Sequence, residues 1–210
     1  MRLLLSILIG LLPVLAGTVN AEGNADAGKE IYTTCAACHG ADGAGAAAMK
    51  AAPRLTHLEP VYQVAQLQKF KAGISGGAGD SKVATQMAAM TMPLADEQAM
   101  LDVAAYIATL DGGVSAVTVE GDLTAGDTHF KQFCTACHGA AAEGNMAMNS
   151  PRLAGADDWY LVAQLQSFRE GTRGSHPEDV TGMQMRAMAG VLPDAAAIND
   201  VSAYIRSITQ

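Results

Sequence analysis

Aromatic side chains are scarce in this chain: four Phe, five Tyr and one Trp make up 5% of 210 residues, although half of the residues are hydrophobic. So few large rings leave little bulk for a core built from protein alone, and a large apolar group held in each half would fill it. Basic runs are absent too. Lys and Arg number 13 against 21 Asp and Glu, a formal charge of −8, with six basic and ten acidic groups in 22–113 and six and eleven in 114–210. An acidic surface without a basic cluster argues against nucleic acid and anionic membranes as partners, and suits a partner with a basic or largely apolar face. Sustained period-two alternation is missing, which argues against a sheet; "VSAVTVE" at 114–120 is the one short candidate.

Only one long apolar run occurs, at the N-terminus: "MRLLLSILIGLLPVLAGTVNA". One Arg, an apolar stretch from Leu3 to about Ala16 and small residues up to Ala21 form the pattern of a secretory signal peptide spanning 1–21. The run falls short of the ~20 residues of a spanning helix and contains Pro13. The expected mature chain begins at Glu22, is exported, and keeps no integral membrane segment.

Cysteine is the other rarity, and its placement is the strongest signal. All four lie in "CAACH" (Cys35, Cys38, His39) and "CTACH" (Cys134, Cys137, His138). Export permits disulfides, but a disulfide framework gives no reason for a His after each pair. A thioredoxin-like redox pair belongs in a βα setting, and zinc would need further ligands beside each pair. C-x-x-C-H is the c-type haem attachment motif: the thiols add across the porphyrin vinyl groups and the imidazole stands under the iron.

The motifs belong to a longer duplication. "CAACHG" at 35–40 matches "CTACHG" at 134–139, and "PRL" at 53–55 matches "PRL" at 151–153. "YQVAQLQKFKAG" at 62–73 matches "YLVAQLQSFREG" at 160–171, and "DVAAYIATL" at 102–110 matches "DVSAYIRSI" at 200–208. "DGGVSAVTVEG", 111–121, reads as a linker, giving domains 22–113 and 114–210. Each unit reads as helical: a helix ending at the cysteines, another from Pro60 that stops at Gly73 (Gly171 in the second copy), and a last one opening near Asp96 or Asp194. The expected fold class is all-α, twice.

A sixth iron ligand decides the role, since a His–Met iron is saturated and suits electron transfer. The duplication filters the methionines: Met92, Met100, Met183 and Met146 have no Met counterpart, whereas Met49/Met148, Met87/Met185 and Met90/Met188 pair up. The first pair lies just before the Pro-Arg-Leu element, on the expected His side. The other two repeat equally well, and self-comparison leaves both open.

Taken together, C-x-x-C-H, Pro-Arg-Leu, Tyr with Gln-Leu and Gly, the methionines and the Leu-x-Asp that opens the last helix resemble a tandem class I cytochrome c. The closest likeness is to the dihaem cytochrome c4 family, over essentially all of 22–210. In that family the ligand Met stands seven residues before the Leu of Leu-x-Asp, which the resemblance carries to Met87 and Met185 through Leu94 and Leu192, with Met90 and Met188 as the fallback. It further implies that the carbonyls of Pro53 and Pro151 orient His39 and His138, that Tyr32 packs on Tyr106 and Phe130 on Tyr204, and that Arg54 and Arg152 are either propionate partners or solvated. Ala95 and Pro193 depart from the family, standing where a Ser cap is usual, and the second copy has one extra residue between Gly126 and Cys134. His57, His129 and His176 do not repeat and are assigned no iron.

The expected function is a periplasmic electron carrier with two covalently bound haem c groups and no catalytic residues, serving a membrane reductase or terminal oxidase. The alternative is the dihaem subunit of an exported oxidoreductase, such as a flavin-containing sulfide dehydrogenase. A peroxidase, needing one open iron, is the third possibility, and the repeating Met argues against it.

Overall fold

The computed structural model describes residues 22–46 and 52–208. The expected signal segment and Met49 lie outside the described residues. Within these, helices alternate with loops and no strand forms: α1 (Ala25–His39), α2 (Pro60–Lys71), α3 (Lys82–Thr91), α4 (Glu97–Ile107), α5 (Leu123–Phe133), α6 (Thr135–His138), α7 (Asp158–Glu170), α8 (Val180–Ala189) and α9 (Ala195–Ser207). Two helical units repeat the same packing, α1 on α4 and α5 on α9.

Each unit is founded on a close helix crossing that glycine permits. A Cβ on Gly28 would stand 1.9 Å from the Asp102 carbonyl oxygen, and one on Gly126 would stand 2.1 Å from that of Asp200. One turn further on, Tyr32 meets Tyr106 at 5.3 Å between ring centroids and Phe130 meets Tyr204 at 5.6 Å, both tilted, as expected. The crossing is tied at its open end as well: the backbone N–H of Asn24 donates to Asp102 (2.7 Å) and that of Asp122 to Asp200 (2.8 Å). Asn24 and Asp122 then cap α1 and α5 with their own side chains.

Four details refine the sequence expectations. The extra residue before Cys134 appears as a break: α1 runs unbroken through its cysteines, whereas Cys134 separates α5 from α6. The missing Ser caps leave no gap, because Asp96 and Asp194, one residue on, accept from the N–H groups of Ala99 and Ala197 at 2.9 Å each. The methionine-bearing segments form helices of their own, α3 and α8. The linker forms no strand, yet it is held fast: Ser115 donates to Asp157 at 2.7 Å, and the N–H groups of Thr118 and Val119 donate to Asp158 at 2.7 and 2.9 Å. Asp157 and Asp158, at the start of α7, are 1% and 0% exposed, so the linker's polar groups help to satisfy two buried carboxylates.

The glycine crossing predicts that Gly28→Ala and Gly126→Ala each destabilise their own unit by about 3 kcal/mol or more, measured by denaturant unfolding. Burial pushes the Tyr32 phenol up to about 12, with the neighbouring Cys35 and Asp42 adding to the rise. Ionisation is thus harder in the folded chain, so the contribution is present below pH ~10, the unfolded value, and is lost as pH rises toward 12. Tyr32→Phe should remove one late-titrating phenolate from an alkaline ultraviolet titration and flatten the fall in stability across that window.

Candidate functional site

Each C-x-x-C-H stretch closes the helix it sits on, and the next residue turns the chain: Gly40 and Gly139 take φ of 79°, a left-handed turn natural to glycine. The loop then folds back under the histidine. Gly45 N–H donates to the His39 carbonyl at 2.9 Å and Gly144 N–H to that of His138 at 2.8 Å. These two glycines also sit against the Pro-Arg element: a Cβ on Gly45 would stand 2.6 Å from Arg54 N, and one on Gly144 2.5 Å from Arg152 N. The sequence reading missed both, although each stands six residues after its histidine, a repeat visible in the alignment.

The consequence is the central contact of each unit. His39 Nδ1 lies 2.8 Å from the Pro53 carbonyl, and His138 Nδ1 lies 2.8 Å from that of Pro151. A carbonyl can only accept, so Nδ1 carries the hydrogen and Nε2 keeps its lone pair. Burial lowers the pKa of both histidines, the bond to the proline carbonyl opposing it. Burial, the larger effect, leaves the imidazole neutral, the form a metal requires, and the bond fixes its orientation.

The thiols suit covalent attachment better than redox exchange. All four are free of disulfides. Cys35 and Cys134 pack against the two aromatic cores, and burial raises Cys35 and pushes Cys134 up to about 11, the opposite of the lowered thiol of a redox motif. Among the described residues no three His, Cys, Asp or Glu side chains are arranged to hold a metal ion, so zinc would lack ligands here. Among the described residues, His57 Nδ1 and Trp159 Nε1 are buried nitrogens without a hydrogen-bond partner. A porphyrin brings two carboxylates, acceptors for such groups, and the residues present fit it.

The methionine pairs, left open by self-comparison, differ in exposure. Met90 and Met188 are 41% and 39% exposed, whereas Met87 and Met185, on the same helices, are partly buried. Met148 is exposed. Lys71 and Arg169, matching residues at the ends of α2 and α7, hold the loops that follow α3 and α8: Lys71 bonds the Leu94 carbonyl, and Arg169 donates to that of Pro193 at 2.8 Å. Their pairing in "KFKAG" and "SFREG" was the overlooked signal.

The two arginines part company. Arg152 is exposed. Arg54 is 5% exposed and bonds the carbonyls of Gly112 and Gly113, while its backbone N–H donates to Asp157 at 2.9 Å. His57 is held neutral, its pKa lowered to about 3 by burial and then by Arg54 and Arg152. His129 stacks on Phe133, and His176 accepts from Glu178 N–H.

The cytochrome c family model matches residues 25–111 and again 123–209. Cytochrome c4 of Azotobacter vinelandii is 34% identical over 206 residues, 92% of this chain and 93% of that protein. The thiosulfate dehydrogenase electron acceptor of Stutzerimonas stutzeri is 31% identical, over 84% of this chain and 86% of that protein. The crystal structure of reduced recombinant cytochrome c4 from Pseudomonas stutzeri superposes with a TM-score of 0.69 at 32% identity, covering 88% of this chain and 98% of that one.

Replacing Cys134 and Cys137 together by Ala should leave one covalently attached group where the unaltered chain carries two. Intact-mass spectrometry of protein matured in a host that attaches haem c reads this directly.

Proposed function

The chain belongs to the cytochrome c4 family, two cytochrome c domains in tandem, and from that premise we propose that it is a periplasmic shuttle between respiratory donors and a reductase or terminal oxidase. It is a dihaem electron-transfer cytochrome, a carrier rather than an enzyme, with two covalently bound haem c groups. When bound, each haem supplies a one-electron iron couple whose potential its axial ligands set. The domains are taken as 22–113 and 114–210.

The chain's own task is to hold two sites that rearrange little as charge arrives. Cys35 and Cys38 anchor one group, and Cys134 and Cys137 the other. His39 and His138 offer Nε2, with Nδ1 locked on Pro53 and Pro151. Met87 and Met185 would supply each iron with its second protein ligand, a role supported by their partial burial, since a thioether shielded from water keeps its place against competing solvent. The observation carrying this reading is the duplicated 2.8 Å His–Pro bond: both sites are built alike, as two carriers in series would be, with no sign of one site specialised for a substrate.

The periplasmic assignment rests on the sequence of segment 1–21. Among the described residues no helix is long and apolar enough to cross a membrane. The relative named as the electron acceptor of thiosulfate dehydrogenase supports a second reading, service to an exported oxidoreductase, and a flavoprotein subunit belongs to the same class of partner. Co-purification as a tight complex would favour this second reading over a free shuttle.

Spectroelectrochemical titration of the purified protein tests the proposal. Two haems, the Met–iron(III) absorption band and no binding of carbon monoxide by the native protein are expected. Met87→Leu and Met185→Leu should each remove about half of that band, with Met90→Leu and Met188→Leu leaving it intact. Ligation by the exposed pair would reverse the pattern.

A further inference from the structure

The two copies meet along a seam that is polar and unequal. Lys69, in the last turn of α2, reaches out of the N-terminal unit to the start of α8. Its Nζ lies 2.6 Å from Asp179 Oδ1 and 2.7 Å from Thr181 Oγ1. Asp179 is the N-cap of α8, and the same Oδ1 accepts from Gly182 N–H at 3.0 Å. The carboxylate fits so closely over the first turn that a Cβ on Gly182 would stand 1.9 Å from Asp179 Oδ2. Asp179 is 2% exposed, so Lys69 bonds a buried charge that needs a cation, with Arg173 also in electrostatic reach of it.

The duplication shows that this arrangement runs one way. The residue matching Asp179 in the first copy is Ser81, and the residue matching Lys69 in the second is Ser167. Ser81 caps α3 by accepting from Ala84 N–H at 3.2 Å, and among the described residues no reciprocal pair reaches it across the seam. The helix bearing Met87 is thus capped within its own unit, whereas the cap of the helix bearing Met185 is completed by the other unit.

We propose that Lys69 is a positioning residue for the C-terminal haem: the N-terminal unit, through Asp179, fixes the start of α8 and thereby the seat of Met185. This rests on the reading of Met185 as an iron ligand. Loss of Lys69 leaves a buried carboxylate short of its partner and loosens the first turn of α8, with Met185 in the turn that follows. The C-terminal iron then loses part of its thioether stabilisation, which favours the oxidised state. The N-terminal iron, whose ligand helix is self-capped, is unaffected.

The test uses the intact dihaem protein. In Lys69→Met, the C-terminal potential should fall by an amount equal to about a tenfold change in the oxidised-to-reduced ratio, or 59 mV for one electron, with the N-terminal potential unchanged. The ligand-methyl resonances of the reduced protein, assigned through Met87→Leu and Met185→Leu, identify which site moved. Asp179→Ser installs the self-sufficient cap of the first copy and removes the need for a cation. Adding Lys69→Met to it should shift neither potential further. Unchanged potentials in Lys69→Met, equal shifts at both sites, or a full further shift in the double variant would each overturn the proposal. If Met185→Leu leaves the Met–iron(III) band whole, the ligand reading fails and takes this inference with it. If Met185→Leu halves the band but Lys69→Met changes nothing, this inference alone fails.

Discussion

A hydrogen bond from an imidazole to a proline carbonyl, formed once in each half, is the constraint around which the rest is arranged. Proline is apt for it. Its ring fixes φ and its nitrogen has no hydrogen, so the carbonyl belongs to a stiff segment that bonds outward. Gly45 and Gly144 bring the loop close enough for that segment to lie beside the histidine. Gly28 and Gly126 bring the first and last helices of each unit together, so that the helix ending in the histidine has a fixed wall behind it. Remove any of these close approaches and Nδ1 loses its acceptor, the imidazole its orientation and the ligand its fixed basicity.

Much of this is written in the chain because it is local or duplicated. C-x-x-C-H is contiguous, the helix stops at Gly73 and Gly171 are marked by glycine, and Tyr32 and Phe130 are found by aligning the copies. What stayed hidden has neither property. Arg54 reads as a propionate partner or a solvated side chain, but Gly112, Gly113 and Asp157 are its partners, each far from it in sequence and two of them carbonyls that any residue could supply. The linker's hold on Asp158 likewise uses the backbone N–H groups of Thr118 and Val119, which leave no trace in residue type, beside the hydroxyls of Ser115 on Asp157 and Thr118 on Asp158. Duplication also conceals whatever differs between copies: Lys69 and Asp179 carry meaning because their counterparts are serines.

One broken symmetry beside the core shows how tolerant the design is. One residue inserted before Cys134 interrupts the helix, yet His138 meets Pro151 at the same 2.8 Å as His39 meets Pro53. The break is absorbed at Cys134, whose side chain still packs on the aromatic core. Helix continuity is therefore dispensable here, and the separation of core, thiols and imidazole is what the fold preserves.

The seam between the units follows a different logic. Its cross-links are long cations meeting buried carboxylates: Lys69 with Asp179, and Arg54 beside Asp157 at 3.8 Å. Arg173 adds a bond to Gln66 at 3.1 Å while lying over Phe168. Buried ion pairs contribute little net stability because desolvation offsets their attraction, and their best-attested use is to fix register. Register is what two tethered domains need. The linker already keeps them at high effective concentration, so the seam has little affinity to provide; it has instead to select one docking among many. An apolar seam of equal area would hold the units together as well but would let them slide, and the distance an electron crosses between the two sites would vary with them. A polar seam with few solutions holds that distance, and because its pairs are not reciprocal, each unit meets the other through a different set of contacts.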